Sequence, residues 1–184
     1  MEMNIDSTDL IKLLYAPSIY IDNSYLTMLP NNGIDFSNQI INYWIINHFK
    51  LEDIQDDLFS PKTDDLALYL IRNWFLLPKV VLLIGGYLSR NIFSSSFFLS
   101  HPVVLEFMSL PLSYKITPNI LTQHDIMATG VTFISELCAT LPSALRQRFF
   151  LCFPKNISYP ELNVPMIPDN INLLKMAFSY AKNM

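Results

Sequence analysis

Along this chain apolar residues return at intervals of three and four, the spacing of helices that bury one face. Leu10, Leu13 and Leu14 share such a face after Asp6, whose carboxylate suits a helix cap, and Pro17 closes the segment, so a short helix is predicted over 6–14. Residues 15–36, with Pro17, Pro30 and the turn signal Asn31-Asn32-Gly33, read as a loop-rich connection. Ser37 then caps a helix reaching to about Phe49, in which Ile41, Trp44, Ile45 and His48 recur at i, i+3, i+4 and i+7. That register makes His48 a packed core histidine.

From Asp64 to Leu77 the pattern widens. Leu66, Tyr69, Leu70, Trp74 and Leu77 lie on one face and Leu68, Ile71 and Phe75 on another, as expected of a central helix. Thr63 is its predicted cap, with Asp64 and Asp65 in the first turn, where carboxylates oppose the positive end of the helix dipole. Pro78 forces a break, and Lys79 to Arg90 continues with Val80, Leu83, Ile84, Tyr87 and Leu88. Gly85-Gly86 inside that helix costs about 1 kcal/mol per glycine relative to alanine, which a close helix crossing would explain.

Ser94 to Ser96 mark a turn, Ser100 and Pro102 start a helix to about Met108, and Pro111 and Pro118 delimit a loop. Thr122 and Asp125 have the spacing of a capping box, ahead of a face traced by Met127, Val131, Ile134, Cys138 and Leu141. After Pro142-Ser143, the run ALRQRFFLCF suits either a helix with Leu145 and Phe149 inward or a short strand, and periodicity does not decide between them. Pro154, Pro160, Pro165 and Pro168 keep the next stretch extended. Asp169 caps a last helix with Ile171, Leu174, Phe178 and Ala181 inward. No repeat, low-complexity tract or flexible linker divides the chain. The fold class is mainly α: a single compact helical domain over residues 1–184, with a Pro-rich extended segment before the C-terminal helix.

Composition changes the picture in one respect. Apolar residues make up 51% of the chain and charged residues 15%, against a usual charged share of about 25%. So little charge leaves apolar surface exposed, and large exposed apolar patches mark sites for protein partners. Mean hydropathy is +0.29, yet the oily stretch from Leu66 to Leu88 carries Arg72, Asn73, Lys79 and Pro78 and does not make a membrane span. Early acids, and no basic segment followed by an apolar one, argue against a secretory signal, so a cytoplasmic protein is expected. In that compartment Cys138 and Cys152, each among apolar neighbours, read as reduced core residues.

Candidate chemistry is sparse. His48, His101 and His124 have no ligand spacing, and no nucleophile elbow, His-Glu-x-x-His or paired-cysteine motif occurs. Asp53-x-x-Asp56-Asp57 has the look of a magnesium-binding cluster, but no second carboxylate or amide cluster completes it. No enzyme, cofactor or metal site is read from the chain. Charge is unevenly spread: residues 1–65 hold 11 acids and three bases, a net −8, and residues 66–184 hold five acids and nine bases, a net +4. That is no dense basic face for nucleic acid, and it suits a protein that offers different surfaces to different partners. Asp64 and Asp65 are accounted for by a helix start. Glu52, Asp53, Asp56 and Asp57 are not, and with a basic surface around Arg146 and Arg148 they form the candidate partner interface.

The segment LIRNWFLLPKVVLLIGGYLSR, and again LPSALRQRFFLCFP followed by the Pro-rich stretch and terminal helix, resemble the OrgA/MxiK (SctK) family of bacterial type III secretion systems in sequence, order and spacing. The resemblance implies a cytoplasmic sorting-platform protein. Its partners would be the forkhead-associated cytoplasmic domain of the inner-membrane ring protein and the C-ring-like cargo receptor of the pods, leading indirectly to the ATPase and its regulator. It would meet the membrane only through the ring protein. A second class fits the same composition: a cytosolic chaperone that holds an amphipathic helix of a secretion partner in an apolar groove.

Overall fold

Residues 7–27, 38–53, 65–91, 102–110, 125–139 and 141–184 are described by a computed structural model. Among them are nine α-helices, two 3-10 turns and no strand. They fall into two compact units, each built from two stretches of chain: Met1–Phe75 with Leu141–Asn156, and Leu76–Thr140 with Ile157–Met184. The first unit holds α1 (Ser7–Tyr15), α2 (Asn23–Leu26), α3 (Asn38–His48) and α4 (Asp65–Arg72). The second holds α5 (Leu77–Ser89), α6 (Pro102–Met108) and α7 (Ile126–Leu137). The chain then returns to the first unit for α8 (Ser143–Leu151) and ends in the second with α9 (Pro168–Lys182).

In the first unit α1 buries Leu10, Leu13 and Leu14, the face that its spacing predicts. The connection after it is more ordered than a loop: a 3-10 turn over Pro17–Ile19, then α2, whose cap Asp22 accepts from the Ser24 N–H at 2.9 Å. Ile45 of α3 is fully buried in a cluster with Ile21, Leu51 and Leu151. His48 departs from its predicted place. It is exposed, and its ring lies flat on Trp44 with centroids 4.5 Å apart, so the last residue of the helix covers an indole. The helix predicted through Leu77 stops at Arg72. Asn73 donates from Nδ2 to the Tyr69 carbonyl at 2.7 Å, and a 3-10 turn over Trp74–Leu76 follows. The turn sends Trp74 inward and leaves Phe75 52% exposed, so the second apolar face ends there. The run after Pro142 is a helix, with Leu145 and Phe149 inward.

In the second unit Pro78 lies in the first turn of α5, where its missing N–H leaves no bond unmade. A Cβ on Gly85 would stand 1.8 Å from the Ile126 carbonyl oxygen, and one on Gly130 would stand 1.8 Å from that of Val81. The close crossing predicted for α5 is therefore an antiparallel contact with α7 that needs a glycine from each helix. Asp125 is itself the cap of α7, accepting from the Ala128 N–H at 2.9 Å, rather than the third residue of a capping box. Phe107 of α6 packs against Tyr87 and Tyr180, with centroids 6.1 and 5.4 Å away. Residues 157–167 form neither helix nor strand, and Asn170 fastens them to α9 by donating from Nδ2 to the Pro165 carbonyl at 2.8 Å. Asp169 falls inside the first turn of α9, behind Pro168. Leu174, Phe178 and Ala181 are buried there, while Ile171 is half-buried.

Trp74 and Leu77, both core residues by their spacing, are 1% and 0% exposed. Cys138 and Cys152 are buried and form no disulfide. Among the described residues no single helix is long and apolar enough to cross a membrane. The caps predicted at Asp6, Ser37, Thr63 and Thr122, the turn at Ser94 to Ser96 and the loop from Pro111 to Pro118 lie outside those residues.

Candidate docking site

The acidic segment leaves α3 through a tight stop. Lys50 has φ 49°, the Lys50 N–H donates to the Asn47 carbonyl at 3.3 Å, and the Leu51 N–H reaches back to the Ile46 carbonyl at 2.9 Å. This is the double-bonded helix ending in which glycine usually holds the left-handed position. Its apolar contact is present as well, since Leu51 returns to the cluster around Ile45. The turn aims Glu52 and Asp53 at α8.

There Glu52 is held from every side. Its N–H donates to Gln147 Oε1 at 2.9 Å, its carbonyl accepts from Arg148 Nη1 at 2.7 Å, and its carboxylate accepts from Gln147 Nε2 at 3.2 Å and from the Ser143 hydroxyl. Proline at the cap of α8 provides no side-chain acceptor, and the Glu52 carboxylate, bonded to the Ser143 hydroxyl of the first turn, lies near the positive end of the helix dipole. Glu52 is exposed, yet it is a structural residue before it is a steering charge.

Arg148 is placed differently from the basic surface expected of it. It is fully buried. Nη1 also donates to the Ala144 carbonyl at 3.0 Å and Nη2 to the Leu14 carbonyl at 3.0 Å, while Nε has no partner. Burial lowers its proton affinity, and the Tyr20 hydroxyl and the Asp53 carboxylate act the other way. Half-buried beside it, Tyr20 donates to the Leu13 carbonyl at 2.8 Å and has its own pKa raised by desolvation. The Cys152 thiol is pushed up to about 12 by burial, so it stays protonated at neutral pH.

Of the six candidate interface residues, the structure brings Glu52, Asp53 and Arg148 together and leaves Asp53 and Arg146 exposed, while Asp56 and Asp57 lie outside the described residues. Sequence reasoning expected exposed apolar surface but did not name the side chains that the same unit leaves open: Ile11 and Tyr15 on α1, Ile19 after it, Ile40 and Tyr43 on α3, and Phe150 one turn beyond Arg146. Ile11 with Tyr15, spaced four apart opposite the buried leucines, was the signal available for it. No group of three or more His, Cys, Asp or Glu among the described residues is arranged to hold a metal. The arrangement offers contact surface, with one acidic turn held by hydrogen bonds to α8.

The profile of the family described as bacterial type III secretion apparatus protein, OrgA/MxiK, matches residues 10–183. The chain is also similar to YgeO, an uncharacterized protein of Escherichia coli (strain K12), with 32% identity over 119 residues, 61% of this chain and 82% of that protein. No solved structure matches it.

Proposed function

The chain belongs to the OrgA/MxiK family of bacterial type III secretion apparatus proteins, and from that premise we propose that it is a non-enzymatic adaptor of the sorting platform at the cytosolic face of the injectisome. In this reading it links the forkhead-associated cytoplasmic domain of the inner-membrane ring protein to the cargo receptor of the pods, and through the pods to the ATPase and its regulator. The observation that carries the reading is the reach of the family match, which runs through both units. The first unit supports it, because exposed isoleucine, tyrosine and phenylalanine side chains beside isolated charges suit protein contact. With Glu52 and Arg148 committed inside the unit, steering falls to Asp53 and Arg146.

Deleting the gene should stop secretion and remove the cytoplasmic pods while the membrane rings still assemble; normal secretion from the deletion strain would sink the reading. The chaperone alternative draws on the same exposed apolar side chains. A fluorescent fusion separates the two, since an adaptor stays at the injectisome and a chaperone disperses once its client is delivered.

A further inference from the structure

Three stretches of the first unit meet at one buried cation. Helix α1 ends with main-chain carbonyls that its own backbone cannot satisfy. Leu13 and Leu14 find donors outside the helix, in the Tyr20 hydroxyl and Arg148 Nη2. The guanidinium therefore lies at the negative end of the α1 dipole, with the Glu52 carbonyl at 2.7 Å and the Ala144 carbonyl of its own helix at 3.0 Å. A fully buried charge is tolerated only while its acceptors stay in place, and here they come from α1, from Leu51–Asp53 and from α8. Withdrawing any one of them strands the cation, so the three stretches share one stability. We propose that Arg148 is a positioning residue that locks α1, the Leu51–Asp53 turn and α8 into a single docking element, which engages or releases a partner as one piece.

The inference rests on the reading of the first unit as a docking unit, and the two are tested separately. Native-state amide exchange on the unmodified full chain, in rising sub-denaturing guanidinium, should show the Ala16, Leu51 and α8 amides opening together with one denaturant dependence. Ala16 or Leu51 exchanging through an opening that leaves α8 protected would overturn the lock. Arg148→Met should lower protection at least tenfold in all three stretches; a loss confined to α8 overturns it too. If that variant does not fold, the exchange pattern of the unmodified chain decides. The partner probe is the isolated cytoplasmic domain of the ring protein. Arg148→Met should weaken its binding at least tenfold at both low and high salt, because the residue faces no partner. Unchanged binding despite lost protection overturns the docking half of the inference. An unmodified chain that does not bind the domain overturns that half together with ring docking, and leaves the lock to the exchange result.

Discussion

Single residues here are explained by what surrounds them more than by their type. Trp74, 1% exposed and edge-on to Tyr20 at 6.1 Å, anchors the first unit, so Trp74→Ala should cost about 3–5 kcal/mol and lower the melting temperature. An unchanged melting temperature with lost partner binding would make it an interface residue instead. Lys50 holds a left-handed conformation that costs a side-chain-bearing residue about 1–2 kcal/mol, partly offset by the chain entropy that glycine loses. Lys50→Gly should therefore raise stability by about 0.5–1 kcal/mol in chemical denaturation. Cys152 sets a pH limit. Its thiol is raised from 9.0 to about 12 in the folded chain, so between those values the unfolded chain gives up the proton and the native one keeps it. Stability should fall as pH rises above about 9, and Cys152→Ala should flatten part of that fall in urea titrations at pH 8 to 11.

At the scale of elements, the helices were legible where burial follows a one-sided stripe, as in α1 and α9, and less so where a backbone detail intervenes. Asn73 ends α4 because its side chain takes a carbonyl that the next turn would have bonded, and no apolar pattern encodes that. Gly85 marked a close crossing, but its counterpart Gly130 is recognisable only once the two helices are side by side. Gly130→Ala would drive a methyl into the Val81 carbonyl, which is backbone and cannot swing aside. We expect a loss of about 3 kcal/mol or more, read as a drop in denaturation midpoint, against an effect below about 1 kcal/mol for Ala139→Gly, an exposed position after α7. The docking site was half legible. The acids stood out by their density, whereas the burial of Arg148 depends on carbonyls 96 and 134 positions away in sequence, which neither charge nor spacing reveals.

At the scale of the molecule, charge asymmetry and shortage of charge pointed to protein contact, and family membership gives that contact its setting. If Asp53 and Arg146 steer association, Asp53→Asn and Arg146→Gln should change the on-rate for the ring domain at low salt and lose that effect at high salt, with no shift in melting temperature. Identical on-rates would return both to the solvated surface. The single domain read from the absence of linkers has its own measurement: one unfolding transition, coincident by near-UV and far-UV circular dichroism, since the chain passes between the two units three times and neither is a continuous stretch. That threading also has a consequence for synthesis. The first unit takes its closing helix from Leu141–Asn156, and the 81 residues from Leu76 through Asn156 take a ribosome about 4–16 s to add at about 5–20 residues per second. For that interval Ile21, Ile45 and Leu51 wait on the nascent chain without Leu151 of α8, and translation that stops short of Leu141 leaves that apolar cluster incomplete for good.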